Sequence, residues 1–224
     1  FEGETYTIDC VGKANADVGD PKTDVYLRAR NDDTKEIKEF KISIKQNDAD
    51  FLENKITAIR APQIFGDDWE NLIIQTVKKI SSEFDNLTMM NKIGTSKRVE
   101  KGMYKLGWRL DIINKPTGNL TTQIPSSLLK EVLTGESLAD GKINANIEGE
   151  TIKNSGIANY FITVDVHNSF SNVNDIMDNL LTTDEYIKET GNIYLTFRAI
   201  NLRTMPINKD TGQVEDKIKY ESRH

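Results

Sequence analysis

Two runs of alternating apolar and polar residues stand out near the start of the chain. Residues 24–30 (DVYLRAR) alternate and are rich in β-favouring types, and residues 37–45 (IKEFKISIK) alternate again. Between them, 31–36 (NDDTKE) is turn chemistry, because Asn and Asp bond their own backbone and accept tight conformations. The pattern predicts a β-hairpin. One register sets Val25 opposite Ile42 and Leu27 opposite Phe40 on an apolar face, with Arg28 meeting Glu39 on the other face as an opposite-charge pair. A slip by one residue would set apolar positions against polar ones, so this register is favoured.

Further along, Trp69, Leu72, Ile73, Val77, Ile80 and Phe84 recur at helical spacing, which predicts one helix over 67–85. Asp67 with Glu70 three residues on resembles a capping box, and Pro62 and Gly66 mark the loop before it. A short helix is expected over 48–59. Strands are expected over 106–113, 143–147, 160–167 and 193–202. Helices are expected over 126–133, ended by Gly135, and over 172–181 and 184–189. No repeat or low-complexity linker interrupts the chain, and 115–119 (KPTGN) is the best candidate for a domain break. The expectation is a single α/β (α+β) domain over 1–224, with a mixed central β-sheet flanked by helices.

Composition narrows the classes. A chain of 224 residues can bury a core without staples, and 37% apolar with 29% charged residues is an ordinary globular balance. No apolar run approaches the roughly 20 residues that cross a bilayer. Residues 1–7 carry two glutamates and no apolar signal core, although a start at Phe1 and not Met predicts a missing upstream piece. Cys10 is the one cysteine, which excludes an internal disulfide and a cysteine-rich zinc site and makes a reducing cytoplasm the natural setting. The net charge of −6 argues weakly against a nucleic-acid partner, but phosphate binding needs only a local basic surface. Histidine occurs only at His167 and His224, so histidine-based nuclease and triad chemistry is disfavoured. No G-x-x-x-x-G-K-[ST] or G-x-G-x-x-G occurs. Asp, Glu and Lys remain as the catalytic groups.

The hairpin register has a chemical consequence. It sets Asp24 across from Ser43, and Lys45 lies two residues on, on the same face. An acid, a hydroxyl and an ammonium group therefore converge at the open end. Phosphodiester cleavage uses these types: a carboxylate holds a hard Mg²⁺, and a lysine positions the attacking water or offsets charge on the phosphate.

The strings PKTDVYL and FKISIKQ on either side of a polar turn resemble the signature of the PD-(D/E)xK, restriction endonuclease-like nucleases. That signature has an Asp at the start of one strand and an acid-x-Lys at the end of its hairpin partner. Asp24 matches the first acid and Lys45 the lysine, while Pro21 stands three residues before Asp24 and Ser43 stands where the second acid is usual. The resemblance covers about 25 residues and fits a Ser-x-Lys variant. It implies a restriction endonuclease-like core, Mg²⁺ as cofactor, and the Ile44 backbone carbonyl as a further ligand. It also implies a following helix that supplies the missing acid, with Glu53 the first choice and Glu70 the second; Glu2 or Glu4 could serve if an N-terminal helix packs over the hairpin. A competing alignment on Glu39-x-Lys41 restores the acid, but Glu39 stands roughly 13 Å along the strand from Asp24, too far to share an ion.

The basic stretch 92–109 (KIGTSKRVEKGMYKLGWR) is the best phosphate-binding candidate, through Lys97, Arg98, Lys101, Lys105 and Arg109. Arg198, Asn201 and Arg203 could read base edges. The polar turn Asn154-Ser155-Gly156 could approach a groove. Region 91–224 is thus the expected DNA-contact and dimerisation region, beside the catalytic hairpin at 21–46. The expected function is a Mg²⁺-dependent endonuclease on double-stranded DNA, of the type II restriction kind. Such enzymes usually act as homodimers. The alternative is a non-catalytic DNA- or protein-binding subunit of a phage or defence system on a degenerate nuclease-like scaffold.

Overall fold

Three antiparallel strands open the chain: β1 (Tyr6–Lys13), β2 (Val25–Asn31) and β3 (Ile37–Gln46). The structure is a computed structural model that describes residues 3–17, 19–47, 49, 51–85, 104–116, 118, 120–165 and 170–202. Val25 lies opposite Ile42, Leu27 opposite Phe40 and Arg28 opposite Glu39, in the expected register. Asn31 builds the turn, its side-chain oxygen accepting the Asp33 and Thr34 amides at 2.9 Å each.

The next segment departs from expectation. Residues 51–53 form a strand, β4 (Phe51–Glu53), where local spacing predicts a helix over 48–59. The cause is tertiary: the segment pairs with a strand some 60 residues away, and Leu52 is buried there. Pro62 lies inside a helix, α1 (Arg60–Phe65), and not in a loop. It is tolerated because an amide in the first turn has no intrahelical acceptor to lose. The expected helix over 67–85 breaks at Ile80 into α2 (Trp69–Lys79) and α3 (Ser81–Asp85). No capping box forms at its start, where Asp68 is the cap residue and makes no side-chain cap bond.

Two long strands are as expected, β5 (Tyr104–Ile113) and, at the end, β11 (Ile193–Leu202), while a short strand, β6 (Thr121–Ile124), has no counterpart among the expected ones. Between them come a single tight turn over Ser126–Leu128, then α4 (Leu129–Thr134), which Gly135 ends in the left-handed conformation. The expected strand over 143–147 divides into α5 (Asp140–Ile143) and a small hairpin of β7 (Asn146–Ile147) and β8 (Glu150–Thr151). There follow β9 (Tyr160–Val164), α6 (Val173–Asp178), β10 (Leu181–Thr182) and α7 (Thr183–Thr190). A true capping box starts α7, between Thr182 and Glu185.

The strands form a five-stranded sheet, ordered β1-β2-β3-β9-β10, and a four-stranded sheet, ordered β4-β5-β11-β6, beside the small β7–β8 pair. The first sheet is mixed, because β9 runs parallel to β3 while the other neighbours are antiparallel. The predicted hairpin therefore sits inside that sheet. β5 and β6 both flank β11, so the segment 114–120 joins two strands of one sheet. One core links the sheets. Phe161 of β9 packs with Leu52, Ile112, Ile124, Ile193 and Leu195 of the second sheet and with Leu129, Val132 and Leu133 around α4. Each such side chain contributes roughly 1.5–3 kcal/mol on burial. The other face of the first sheet carries Phe40, Ile42 and Ile162 against Ile176 and Met177 of α6. Among the described residues, no helix is long and apolar enough to cross a membrane.

Candidate functional site

The open end of the hairpin is where β2 stops before β3 does. The Asp24 amide donates to the Ile42 carbonyl at 2.8 Å, and beyond it no strand among the described residues pairs with β3 on that edge. The Asp24 carboxylate takes the place of the missing strand. Its Oδ2 accepts the Ile44 amide at 2.7 Å and lies 3.5 Å from the Ser43 hydroxyl, the limit of a hydrogen bond. Asp24 itself is exposed, whereas Ser43 is buried.

Lys45 follows on the Ser43 side of β3, beside Thr163 of the parallel strand β9. Its ammonium is pushed down from the ordinary lysine range to about 8, first by burial, then by the neighbouring Lys22 charge; Asp24 and Glu53 oppose the shift. The three residues expected to converge, Asp24, Ser43 and Lys45, do so.

Glu53 arrives from the second sheet, on edge strand β4 and not on the expected helix. Its carboxylate accepts the Lys22 ammonium on one oxygen and the Arg60 Nε, at 3.3 Å, on the other. Arg60 passes the contact on, its Nη1 donating to Glu131 at 2.6 Å, and Glu131 in turn accepts the Ser137 amide at 3.0 and 3.2 Å. The pairs Lys22–Glu53 and Arg60–Glu131 have no signal in the local sequence, because their members lie 31 and 71 residues apart.

Two glycines let Lys22 reach the site. Its stem passes over Gly135, where an added Cβ would come within 2.6 Å of Lys22 Cγ. The amides of Lys22 and Thr23 both donate to the Gly156 carbonyl, at 3.0 and 3.2 Å. A Cβ on Gly156 would lie 1.8 Å from the Lys142 carbonyl oxygen, so only glycine fits there. The Asn154-Ser155-Gly156 turn is thus an internal dock for the 22–24 loop. Ser155 is fully buried and bonds the Ala145 and Ile152 carbonyls, so of this turn Asn154 alone is exposed.

The other candidate acids lie elsewhere. Glu4 accepts from the Tyr6 hydroxyl and from Asn31 at 2.8 Å, at the turn end of the hairpin. Glu70 is exposed in the first turn of α2, and Glu2 lies outside the described residues. Glu39 accepts the hydroxyl of the buried Tyr26, which takes it away from the open end. Burial, with Glu39 as the second cause, raises the Tyr26 phenol well above its ordinary range.

Of the expected DNA contacts, Lys97, Arg98, Lys101 and Arg203 lie outside the described residues. Lys105 and Asn201 are backbone partners in the β5–β11 pair. Arg109 and Arg198 are also direct cross-strand partners, and both turn to the buried Asp111, at 3.0 and 3.7 Å. Arg198 in addition lies 3.8 Å over the Phe51 ring.

The donor set suits a magnesium ion in kind. The second Asp24 oxygen has no hydrogen-bond partner among the described residues. The Ile44 carbonyl leaves β3 on the same edge as its amide, past the start of β2. Glu53 adds a carboxylate nearby, and one or two carboxylates with waters are what Mg²⁺ usually takes from a protein. Among the described residues no three His, Cys, Asp or Glu side chains surround one point. Burial and charge together give the site an exposed acid in Asp24, a half-buried one in Glu53, a buried hydroxyl and a lysine with lowered proton affinity. No protein-family description matches the chain, and neither does any curated protein or solved structure.

Proposed function

We propose that this chain is a Mg²⁺-dependent DNA endonuclease of the PD-(D/E)xK type, in its Ser-x-Lys form, acting on double-stranded DNA as a sequence-specific restriction enzyme. The observation that carries the reading is the β2–β3 register. It brings Asp24, Ser43 and Lys45 to one open end, with Glu53 delivered there from another element. The mixed sheet with this hairpin inside it agrees with the restriction endonuclease-like core that the signature implies.

In this reading Asp24, the Ile44 carbonyl and Glu53 hold the ion, which when bound polarises the phosphate and acidifies water. Ser43 orients water against Asp24. Lys45 takes a proton from the attacking water or meets charge growing on the phosphate, and its depressed proton affinity suits either task near neutral pH. Lys97, Arg98, Lys101 and Lys105 supply the phosphate contacts, and a homodimer would present two such sites to a palindrome.

A plasmid incubated with Mg²⁺, Ca²⁺ or EDTA tests the proposal. Discrete fragments with Mg²⁺ alone, lost in both Asp24→Asn and Lys45→Met, are the expected result. Equal cleavage by both variants would sink it. A second reading is favoured by one observation: Glu53 is already held by Lys22 and Arg60. In that reading the chain is a non-catalytic DNA- or protein-binding subunit on a degenerate scaffold, and DNA binding without Mg²⁺-dependent cleavage would mark it.

A further inference from the structure

Lys22 has no part in the signature, yet its backbone and stem are held in the site. Its side chain is only 15% exposed. Its stem is packed over Gly135, its amide is tied to Gly156, and its ammonium ends on the Glu53 carboxylate. A lysine taken out of water in this way needs an anion, and Glu53 supplies it. The charges then balance: Asp24, Glu53 and Glu131 are negative, while Lys22, Lys45 and Arg60 are positive. A divalent ion entering that set would face no net attraction unless a cation withdrew. Arg60 is doubly anchored, to Glu53 and Glu131, and Lys45 is fixed near the end of β3, the central strand of its sheet. Lys22 is the cation with one carboxylate partner and a flexible end.

We propose that the Lys22 ammonium is a resident counter-ion that holds the place of the divalent cation at Glu53, so that Lys22 and Mg²⁺ exclude each other from that carboxylate. The inference rests on the metal site proposed above. It gives Lys22 a positioning role: the loop is kept in its productive geometry without metal, and Glu53 is handed over when the ion arrives. It also makes the ion's affinity lower than the ligand set alone would give.

The test uses the full chain without DNA. Mg²⁺ and Ca²⁺ are titrated calorimetrically into wild type, Lys22→Met, Lys22→Arg and Asp24→Asn, all checked for folding by circular dichroism. Lys22→Met keeps the packed stem and removes the charge, so it should bind either ion about tenfold more tightly or better. Lys22→Arg keeps the charge and should bind like wild type. If Lys22→Met does not fold, Lys22→Gln, which can still hydrogen-bond Glu53, replaces it. Unchanged or weaker binding in the uncharged variant, with binding still lost in Asp24→Asn, overturns the exclusion and leaves the metal site standing. No binding by wild type or by Lys22→Met, or binding that Asp24→Asn leaves intact, overturns the metal site and the exclusion together.

Discussion

The Asp24 carboxylate accepts the Ile44 amide at 2.7 Å across the mouth of the β2–β3 hairpin. One side chain therefore does a structural task, closing the strand edge, with one oxygen and leaves the other for chemistry. Substitution separates the two. Asp24→Asn keeps an oxygen for the amide, whereas Asp24→Ala leaves that amide unpaired at a cost of about 1 kcal/mol. Under the proposed function both variants lose an ion ligand whose charge stabilisation amounts to several kcal/mol, and cleavage is expected to fall at least about a hundredfold. Urea denaturation and a plasmid assay read the two effects. An Asn variant as unstable as the Ala variant would refute the division of roles.

Lys45 predicts a pH dependence of stability in the absence of metal. Its proton affinity in the fold is lowered from 10.5 to about 8. Between those values the unfolded chain holds more protons than the folded one, so stability rises with pH, at most about 1.4 kcal/mol per unit. Above about pH 10 the sign reverses. The phenols of Tyr26 and Tyr186 are raised by burial, so the folded chain keeps protons that the unfolded chain has lost. Thermal denaturation in EDTA from pH 7 to 11 should show a maximum near pH 10. In Lys45→Met the rising limb should vanish; a rise that survives the substitution would assign it to another group.

The hairpin was legible in the sequence because both its faces constrain one register. Val25, Leu27, Phe40 and Ile42 must share one side, and that alone sets Asp24 against Ser43. Glu53 was legible as a nearby acid but not as a strand residue, since β4 exists only through its pairing with β5. Its neighbours were not legible at all. Lys22, Arg60 and Glu131 meet through tertiary packing, and nothing in their local strings marks them. The break at Ile80 was hidden for a similar reason: the apolar spacing runs on through α2 and α3 although the backbone does not.

Gly156 holds the 22–24 loop by its carbonyl, and its own Cα lies against the Lys142 backbone. Gly156→Ala would set a Cβ 1.8 Å from a backbone oxygen, which no side-chain rotation relieves. The expected loss is about 3 kcal/mol or more, with cleavage reduced beyond what partial unfolding explains because Lys22 and Asp24 shift. Chemical denaturation, with cleavage scaled to the folded fraction, checks this. A variant within about 1 kcal/mol of wild type would show that the loop is not anchored here.

Asp111 decides whether Arg109 and Arg198 belong to the fold or to DNA. It is fully buried, with one oxygen on the Lys55 amide at 2.8 Å and the other between the two guanidinium groups. The arginines face each other across β5 and β11, a like-charge pair that Asp111 offsets. Asp111→Asn should therefore cost about 3–5 kcal/mol, as expected when one partner of a buried ion cluster is removed. Arg198→Gln should cost less, because it relieves the repulsion while Arg109 keeps its 3.0 Å contact. In Asp111→Asn/Arg198→Gln the losses should not add, since the second change removes the repulsion that the first exposes. DNA affinity of Arg198→Gln should stay within about threefold of wild type, against the roughly 1–3 kcal/mol that a base-reading arginine would lose. A large loss of affinity with no loss of stability would return Arg198 to the DNA interface.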